Sequence, residues 1–157
     1  NKGMTRAMFA AVMGRLYERS YGTLSTSGAS QFKDVSASSW YGTYVNWAAQ
    51  NGIIKGISDT SFEPNRNITR EEMAALLYRF ASFMKVNNTI NTDQKLTFKD
   101  ASSIGAWAKP AVQFFAQKEI LNGRSSTQFA PKQTATRAET AAVLERFIEL
   151  VVAQAAQ

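Results

Sequence analysis

A five-residue stretch occurs three times in this chain, at residues 4–8, 68–72 and 135–139, where it reads MTRAM, ITREE and ATRAE. Each copy opens an apolar run in which large side chains recur every three or four residues, as they do on one face of a helix. The threonine in each copy is a favourable N-cap, because its hydroxyl can accept a hydrogen bond from a free backbone N–H of the first turn. The sequence therefore predicts three amphipathic helices, each of which begins directly after its threonine.

Two of the three copies carry a glutamate three residues after the threonine, Glu72 and Glu139, which completes a capping box. The first copy has Met8 in this place. Capping explains the threonine and the glutamate, but it does not explain the arginine that follows the threonine. A cation in the first turn faces the positive end of the helix dipole, at a cost of about 0.3–1 kcal/mol. An anion held by the arginine together with free first-turn N–H groups would reverse the sign of that cost.

A longer pattern repeats around the second and third copies. Phe-x-Asp, a tryptophan, an Ile-Ile or Ile-Leu pair before x-Gly, and Phe-x-Pro precede each of them in the same order. Trp40 and Trp107 are 67 residues apart, and so are Arg70 and Arg137. Such an internal period indicates tandem units that bury a face against each other. The predicted organisation is a single domain over 1–157, with the back half of a first repeat at 1–22, full repeats at 32–85 and 98–151, and linkers at 23–31 and 86–97.

The composition excludes several classes of function. The 157 residues include neither cysteine nor histidine, which removes disulfides, thiolate metal sites and the commonest general base. No apolar run approaches the ~20 residues that a membrane span needs, so we expect no membrane insertion. A formal net charge of +6 favours an anionic partner, but the lysines and arginines are dispersed and not clustered as in a nucleic-acid patch. We therefore expect no metal, no cofactor and no nucleic acid.

The repeated motifs resemble those of the S-layer homology (SLH) family. The resemblance rests on Phe-x-Asp-Val, the tryptophan helix, Gly-Ile-Ile-x-Gly, Phe-x-Pro and the Thr-Arg-Ala-Glu-type signature, and it covers nearly the whole chain outside the linkers. It implies an all-α fold in which three repeats, the first lacking its front half, pack as a pseudo-threefold trimer around a central bundle of the three signature helices. It also implies a secreted, non-catalytic module that anchors proteins to the bacterial cell wall or S-layer. The implied ligand is an acidic secondary cell wall polymer, commonly with pyruvate-ketal N-acetylmannosamine, bound in grooves between repeats with the signature arginine on the pyruvate carboxylate.

The candidate ligand-binding residues are three arginines, two aspartates, two tryptophans and two glycines: Arg6, Arg70, Arg137, Asp34, Asp100, Trp40, Trp107, Gly56 and Gly123. The alternative for the arginines is a solvated side chain or a surface salt bridge. The aspartates could instead fix the turn into the next helix, and the helical spacing of the tryptophans is also that of core residues. The glycines would most simply permit a positive φ. Trp47 and Phe114, in equivalent places, are predicted to lie in the core.

Two expectations concern the arginines individually. Because the threonine and the glutamate already satisfy the cap, replacing Arg70 or Arg137 by alanine should leave stability level or raise it by about 0.3 kcal/mol. Arg6 should matter least for binding, because the front half of its own repeat is absent from this sequence.

Three classes of function compete on this sequence. A polysaccharide-binding module is favoured by the repeated cationic and aromatic positions. A protein-interaction scaffold of helical repeats is the first alternative, and it would need an exposed apolar groove. A glycan-cleaving enzyme would need two unlike carboxylates about 5–10 Å apart, whereas the carboxylates here recur once per repeat in equivalent settings. We therefore predict binding without catalysis.

Overall fold

The computed structural model describes residues 2–157, and Asn1, which falls in the predicted first partial repeat, lies outside them. The described chain contains five α-helices and one short 3₁₀ turn, Ala101–Ser103, and within it no strand longer than an isolated bridge occurs. The α-helices are α1 (Arg6–Tyr21), α2 (Gly42–Gln50), α3 (Arg70–Phe83), α4 (Lys109–Gln117) and α5 (Arg137–Ala155). This confirms the all-α prediction.

The three signature helices begin where the capping residues predict. The hydroxyl of Thr69 accepts from the N–H of Glu72 at 3.2 Å, and the Glu72 carboxylate accepts from the Thr69 N–H at 2.7 Å. The same reciprocal pair links Thr136 and Glu139 at the start of α5. In α1 the Thr5 hydroxyl alone acts as the cap, since the box position is methionine. Local sequence chemistry therefore determines where these helices start.

The chain divides into two compact units, of which the first is Met4–Asn67. In this unit α1 packs against α2. Trp47 of α2 is buried, and its ring lies 5.2 Å from that of Tyr17 in α1. Phe9 and Phe62 are fully buried in the same unit. The core of the first unit thus joins a signature helix to the tryptophan helix that follows it in the chain.

The second unit is Ile68–Gln157 together with Lys2 and Gly3. Here α3 packs against α4 in the same way, and Phe147 of α5 contacts rings of both helices. The rings of Phe80 in α3 and Phe147 in α5 are 6.1 Å apart, and the Thr140 hydroxyl meets the Met73 sulfur at 3.4 Å. Phe114 is fully buried, so the prediction of a core role for Trp47 and Phe114 is confirmed.

The packing units are offset by half a repeat from the sequence repeats. Within each unit, a signature helix packs with the helix that follows it in the chain and belongs to the next repeat: α1 with α2, and α3 with α4. The pseudo-threefold trimer and the single domain remain predictions.

The two linkers are irregular but tied down by glutamine side chains in equivalent positions. The Gln50 amide donates to the Ser27 carbonyl at 2.6 Å and accepts from its N–H at 3.1 Å. The Gln117 amide makes the same two-point contact with Asn91, at 2.7 and 3.0 Å. In each case the side-chain amide makes the donor and acceptor hydrogen bonds that a backbone segment would make. The linkers are thereby held against α2 and α4.

Candidate functional site

Arg70 stands at the first position of α3 and is buried, with 2% of its surface exposed. Its Nε donates to the Phe129 carbonyl at 2.9 Å and its Nη2 to the Asn122 carbonyl at 2.6 Å, while Nη1 pairs with the Glu139 carboxylate. The guanidinium also lies over the Phe129 ring, 4.9 Å from its centroid. Burial lowers the pKa of Arg70, an effect that the Glu139 charge opposes. The side chain thus joins α3 to two loops of the following repeat.

Arg6 makes the equivalent contacts in the first unit. Its Nε donates to the Phe62 carbonyl at 2.7 Å, its Nη2 donates to the Lys55 carbonyl at 2.6 Å, and its guanidinium lies 4.5 Å from the centroid of the Phe62 ring. It is 5% exposed. The two arginines therefore perform the same structural task, one in each unit.

Asp34 and Asp100 hold the same loops from the other side. The Asp34 carboxylate accepts from the N–H groups of Phe62 at 2.9 Å and Glu63 at 2.7 Å. Asp100 accepts from the N–H groups of Phe129 at 2.9 Å and Ala130 at 2.8 Å. Partial burial alone would raise the pKa of each aspartate, but these backbone hydrogen bonds outweigh it and lower the pKa. The aspartates thus have a structural role, but they exercise it on a loop 28–30 residues further along the chain, whereas the sequence predicted one at the turn into the next helix. Ligand binding by the aspartates stays a prediction.

The loop peptide is pinned between the two charges. Glu63 and Ala130 occupy the left-handed region at φ 57° and 60°, which is unusual for residues other than glycine. In each unit the aspartate accepts a hydrogen bond from the N–H of this left-handed residue. The arginine donates one to the carbonyl of the phenylalanine just before it. We call this arrangement the loop clamp: Arg6, Asp34 and residues 62–63 in the first unit, and Arg70, Asp100 and residues 129–130 in the second. Opposite charges on the two sides of one peptide stabilise its strained turn.

The first-turn N–H groups of α1 and α3 are also occupied. The N–H groups of Arg6 and Ala7 donate to the carbonyls of Arg66 and Pro64, at 2.9 and 3.0 Å. In α3 the N–H groups of Arg70 and Glu71 donate in the same way, to Gln133 at 2.9 Å and Pro131 at 3.1 Å. The expectation that free N–H groups would help to hold an anion is therefore wrong for these two helices, because backbone carbonyls already bind them.

The stability expectation for Arg70 is corrected for a related reason. Alanine at this position would leave Glu139 and two loop carbonyls without their buried donor. The structural partners of Arg6 lie in the following repeat, which is present in this chain. The expectation that Arg6 matters least for binding stays a prediction. For ligand binding itself, both arginines remain candidates.

Arg137 differs from the other two signature arginines. It is exposed, and its side chain makes no hydrogen bond, ion pair or ring contact with any other described residue. Its backbone N–H donates to the Lys2 carbonyl at 3.0 Å. Of the three signature arginines, Arg137 is the one whose guanidinium lies open to solvent.

Glu139 forms ion pairs with two arginines, which the sequence did not predict. Arg124 forms a bidentate pair with its carboxylate, at 3.0 Å from Nε and 2.9 Å from Nη2, beside the Arg70 contact. Partial burial would raise the pKa of Glu139, but the hydrogen bonds from Arg124 and the Thr136 N–H and the charges of both arginines lower it to about 2. Arg124 has no arginine counterpart in the preceding repeat, where Ile57 occupies the equivalent position. This departure from the repeat was the only sign in the sequence that Arg124 has a separate role.

Glu71 is a second residue that the sequence did not single out. It is 3% exposed, pairs with Lys132, and accepts from the Gly105 N–H at 2.9 Å. Alanine occupies the equivalent position in the other two signatures. This buried carboxylate therefore ties α3 to the loop before α4 in the second unit.

Gly56 and Gly123 do not have a positive φ, so the prediction of a left-handed conformation is wrong for both. A Cβ on Gly56 would lie 2.4 Å from the Ser58 carbonyl oxygen, and one on Gly123 would lie 2.4 Å from that of Ser125. Glycine is needed here because the backbone of the next turn passes too close for a side chain. The left-handed glycine of the segment is Gly52, at φ 68°, just after the Asn51 C-cap of α2, where glycine commonly ends a helix.

Trp40 and Trp107 are both exposed, by 56% and 55% of their surface, and they precede α2 and α4. The alternative of a core role is therefore wrong for both. The guanidinium of Arg15 lies 5.9 Å from the Trp40 ring centroid. Two large apolar side chains at equivalent exposed positions are available for contact with a ligand.

No cluster of three or more acidic side chains arranged to hold a metal occurs in the described part of the chain. None of the helices within residues 2–157 combines the length and the hydropathy of a membrane-crossing segment.

Comparison with known proteins identifies the class. The S-layer homology domain matches residues 31–74 and 97–141, more than half of the chain, so the chain belongs to this family. The matched family is a non-catalytic anchoring domain of cell-surface proteins, and this supports the predicted cell-surface location.

The curated relatives are much longer than this chain. A surface-layer 125 kDa protein of Lysinibacillus sphaericus is 30% identical over 96% of the chain, which spans 12% of that protein. A cellulosome-anchoring protein of Acetivibrio thermocellus is 27% identical over 93% of the chain, which spans 32% of it. An amylopullulanase of Thermoanaerobacterium thermosulfurigenes is 38% identical over 95% of the chain, which spans only 8% of that enzyme. The similarity to the enzyme therefore concerns a small part of it.

Replacement of Arg70 by alanine tests the loop clamp. We expect the free energy of unfolding to fall by about 3 kcal/mol, because two loop carbonyls lose their donor and the partly buried Glu139 loses one of its two arginines. Chemical denaturation of the whole chain measures this change. Arg137→Ala is the matched control and should change stability by less than about 0.5 kcal/mol. Equal stability of Arg70→Ala and the wild type would show that the arginine is not a structural anchor.

Acid titration tests the Glu139 cluster. The carboxyl has a folded-state pKa of about 2 and an ordinary value of 4.5, so its contribution is complete above about pH 4.5 and is lost as the pH falls toward 2. We expect a loss of about 2 kcal/mol across this window after allowance for solvent screening, since a quarter of the side chain is exposed. Glu139→Gln should be less stable at pH 7 and should show a shallower loss of stability with acid. Identical pH profiles for the two proteins would contradict the assignment.

Proposed function

We propose that this chain is a non-catalytic module that anchors its protein to the bacterial cell wall by binding an acidic secondary cell wall polysaccharide. Membership of the S-layer homology family supports the anchoring role. The cellulosome-anchoring and surface-layer relatives favour the same role. The proposed acidic group is the carboxylate of a pyruvate ketal on N-acetylmannosamine.

The observation that carries the proposal is that two repeats expose an indole and that the start of α5 exposes a guanidinium without a protein partner. Trp40 and Trp107 each leave more than half of their surface exposed at equivalent places of two repeats. An indole face provides apolar area for the C–H face of a sugar ring. Arg137 offers an uncommitted planar fork that matches a carboxylate bidentately. The net charge of +6 attracts an acidic polymer to the whole surface.

The remaining candidates receive a positioning role in this proposal. Arg6, Arg70, Asp34 and Asp100 belong to the loop clamp, whose polar contacts are already made within the protein. Gly56 and Gly123 allow the neighbouring turns to close. We propose that these residues shape the surface on which the tryptophans are presented, and that direct contact by Arg6 or Arg70 would need their internal bonds to be exchanged for ligand bonds.

Titration calorimetry with purified secondary cell wall polymer tests the assignment. Arg137→Ala should weaken binding by about 10- to 100-fold, because a charge-assisted hydrogen bond contributes about 1.5–3 kcal/mol. Arg137→Lys should restore part of the affinity, since lysine keeps the charge but not the fork. Arg146→Ala, on the same helix and with the same loss of charge, is the control and should bind like the wild type.

Two further conditions sharpen this test. Affinity should fall as ionic strength rises, and it should fall when the pyruvate ketals are removed from the polymer by mild acid. If Arg137→Ala and Arg146→Ala bind equally, or if ketal removal has no effect, the carboxylate-binding proposal is wrong. If none of these variants loses polymer binding, and a Trp107→Ala variant does not lose it either, the result would favour the protein-interaction scaffold.

A further inference from the structure

Two adjoining cavities lie along α4. One has a volume of about 360 Å³ and the other about 380 Å³, and they share Lys95, Leu96 and Gln113 as lining residues. Thr92 and Lys109 complete the walls of the first cavity on either side. Together they form a groove between the 86–97 linker and the outer face of α4, with room for about two sugar rings. We call it the linker groove.

The wall formed by the linker is held in place by α4. Gln113 donates to the Gln94 carbonyl at 2.9 Å, and Gln117 donates to the same carbonyl at 3.1 Å. Gln117 also exchanges two hydrogen bonds with the Asn91 backbone. A groove whose irregular wall is fixed by four such bonds is pre-organised, so a ligand need not order it on binding.

The charge in the linker groove is positive and uncompensated. Lys95 and Lys109 both line the first cavity, and neither makes an ion pair within the described residues. Thr92 and Gln113 add a hydroxyl and an amide, which suit the hydroxyl groups of a sugar. Two cations beside neutral hydrogen-bonding groups fit a sugar that carries a carboxylate.

The positive pair of the linker groove does not recur in the preceding repeat, where Gly42 occupies the place equivalent to Lys109, 67 residues earlier. A cavity of that repeat, of about 390 Å³, has Lys55 in its lining together with the carboxylate of Asp59.

We propose that the linker groove is a second saccharide-binding site that takes a carboxylate-bearing sugar, with Lys95 and Lys109 on the carboxylate and Thr92 and Gln113 on the ring hydroxyls. The site shares no residue with those assigned to polymer anchoring above. One chain would then contact an acidic polymer at two separate points. Once the first site is occupied, the effective concentration of polymer at the second site is high, so that even a weak second site raises the overall affinity.

Backbone amide chemical shifts in ¹⁵N-labelled protein test the proposal with three probes: cellobiouronic acid, cellobiose and inorganic phosphate. The uronic acid disaccharide should shift the amides of residues 92–96, 109 and 111–113. Cellobiose and phosphate should each bind at least about tenfold more weakly, because each lacks half of the recognised chemistry. Equal binding of cellobiose, or equal shifts with phosphate alone, would overturn the assignment to an acidic sugar.

A double substitution separates the groove from general charge. Lys95→Ala/Lys109→Ala should weaken the uronic acid disaccharide by about tenfold or more, with an unchanged melting temperature. Lys99→Ala/Lys118→Ala, which removes the same charge from exposed positions in the same unit, should leave its binding unchanged. If both doubles weaken binding equally, the groove is not a site. This outcome is independent of the Arg137 experiment, which reads binding of the whole polymer at another helix.

Discussion

The structure depends on a buried arginine whose guanidinium binds backbone carbonyls of loops that come later in the chain. Arg6 and Arg70 each leave the start of a signature helix and bind two carbonyls of the next repeat. Removing such a charge from water costs several kcal/mol unless hydrogen bonds and a counter-charge replace its hydration. For Arg70 these are two loop carbonyls, the Glu139 carboxylate and the Phe129 ring. The arginine therefore explains both the order of the loops and the pairing of the helices.

The offset between repeat and packing unit follows from this contact. A signature helix is bound to the loops that the next repeat supplies, and the aspartate of that next repeat holds the other side of the same peptide. No sequence repeat contains a complete clamp. Loss of binding in an arginine or aspartate variant must therefore be separated from loss of the loop. Arg137, which is exposed and uncommitted, avoids this ambiguity.

Much of this architecture was predictable because it is encoded locally. Thr69, Glu72 and their equivalents determine the helix starts through short-range hydrogen bonds, and the 67-residue period identifies the repeats. The burial of Arg70 was not predictable, since its partners Asn122 and Phe129 lie more than 50 residues away. The same holds for Gly56 and Gly123, which are required by the close approach of a neighbouring turn and not by their own φ. The sequence left the exposure of Trp40 open because helical spacing could not show that α2 begins only at Gly42, so that Trp40 lies outside the helix.

The most direct measurement of the loop clamp is a double-mutant cycle between Arg70→Lys and Asp100→Asn, read as free energies of unfolding. Because lysine retains the positive charge, the direct attraction between the two side chains is similar with either residue and largely cancels in the cycle. The remaining coupling energy measures the joint effect of the two residues on the loop that both bind. Two residues that pin one peptide should be coupled by about 0.5–3 kcal/mol. Additive effects within about 0.3 kcal/mol would mean that the arginine and the aspartate act on independent parts of the structure, and that the clamp does not exist as described.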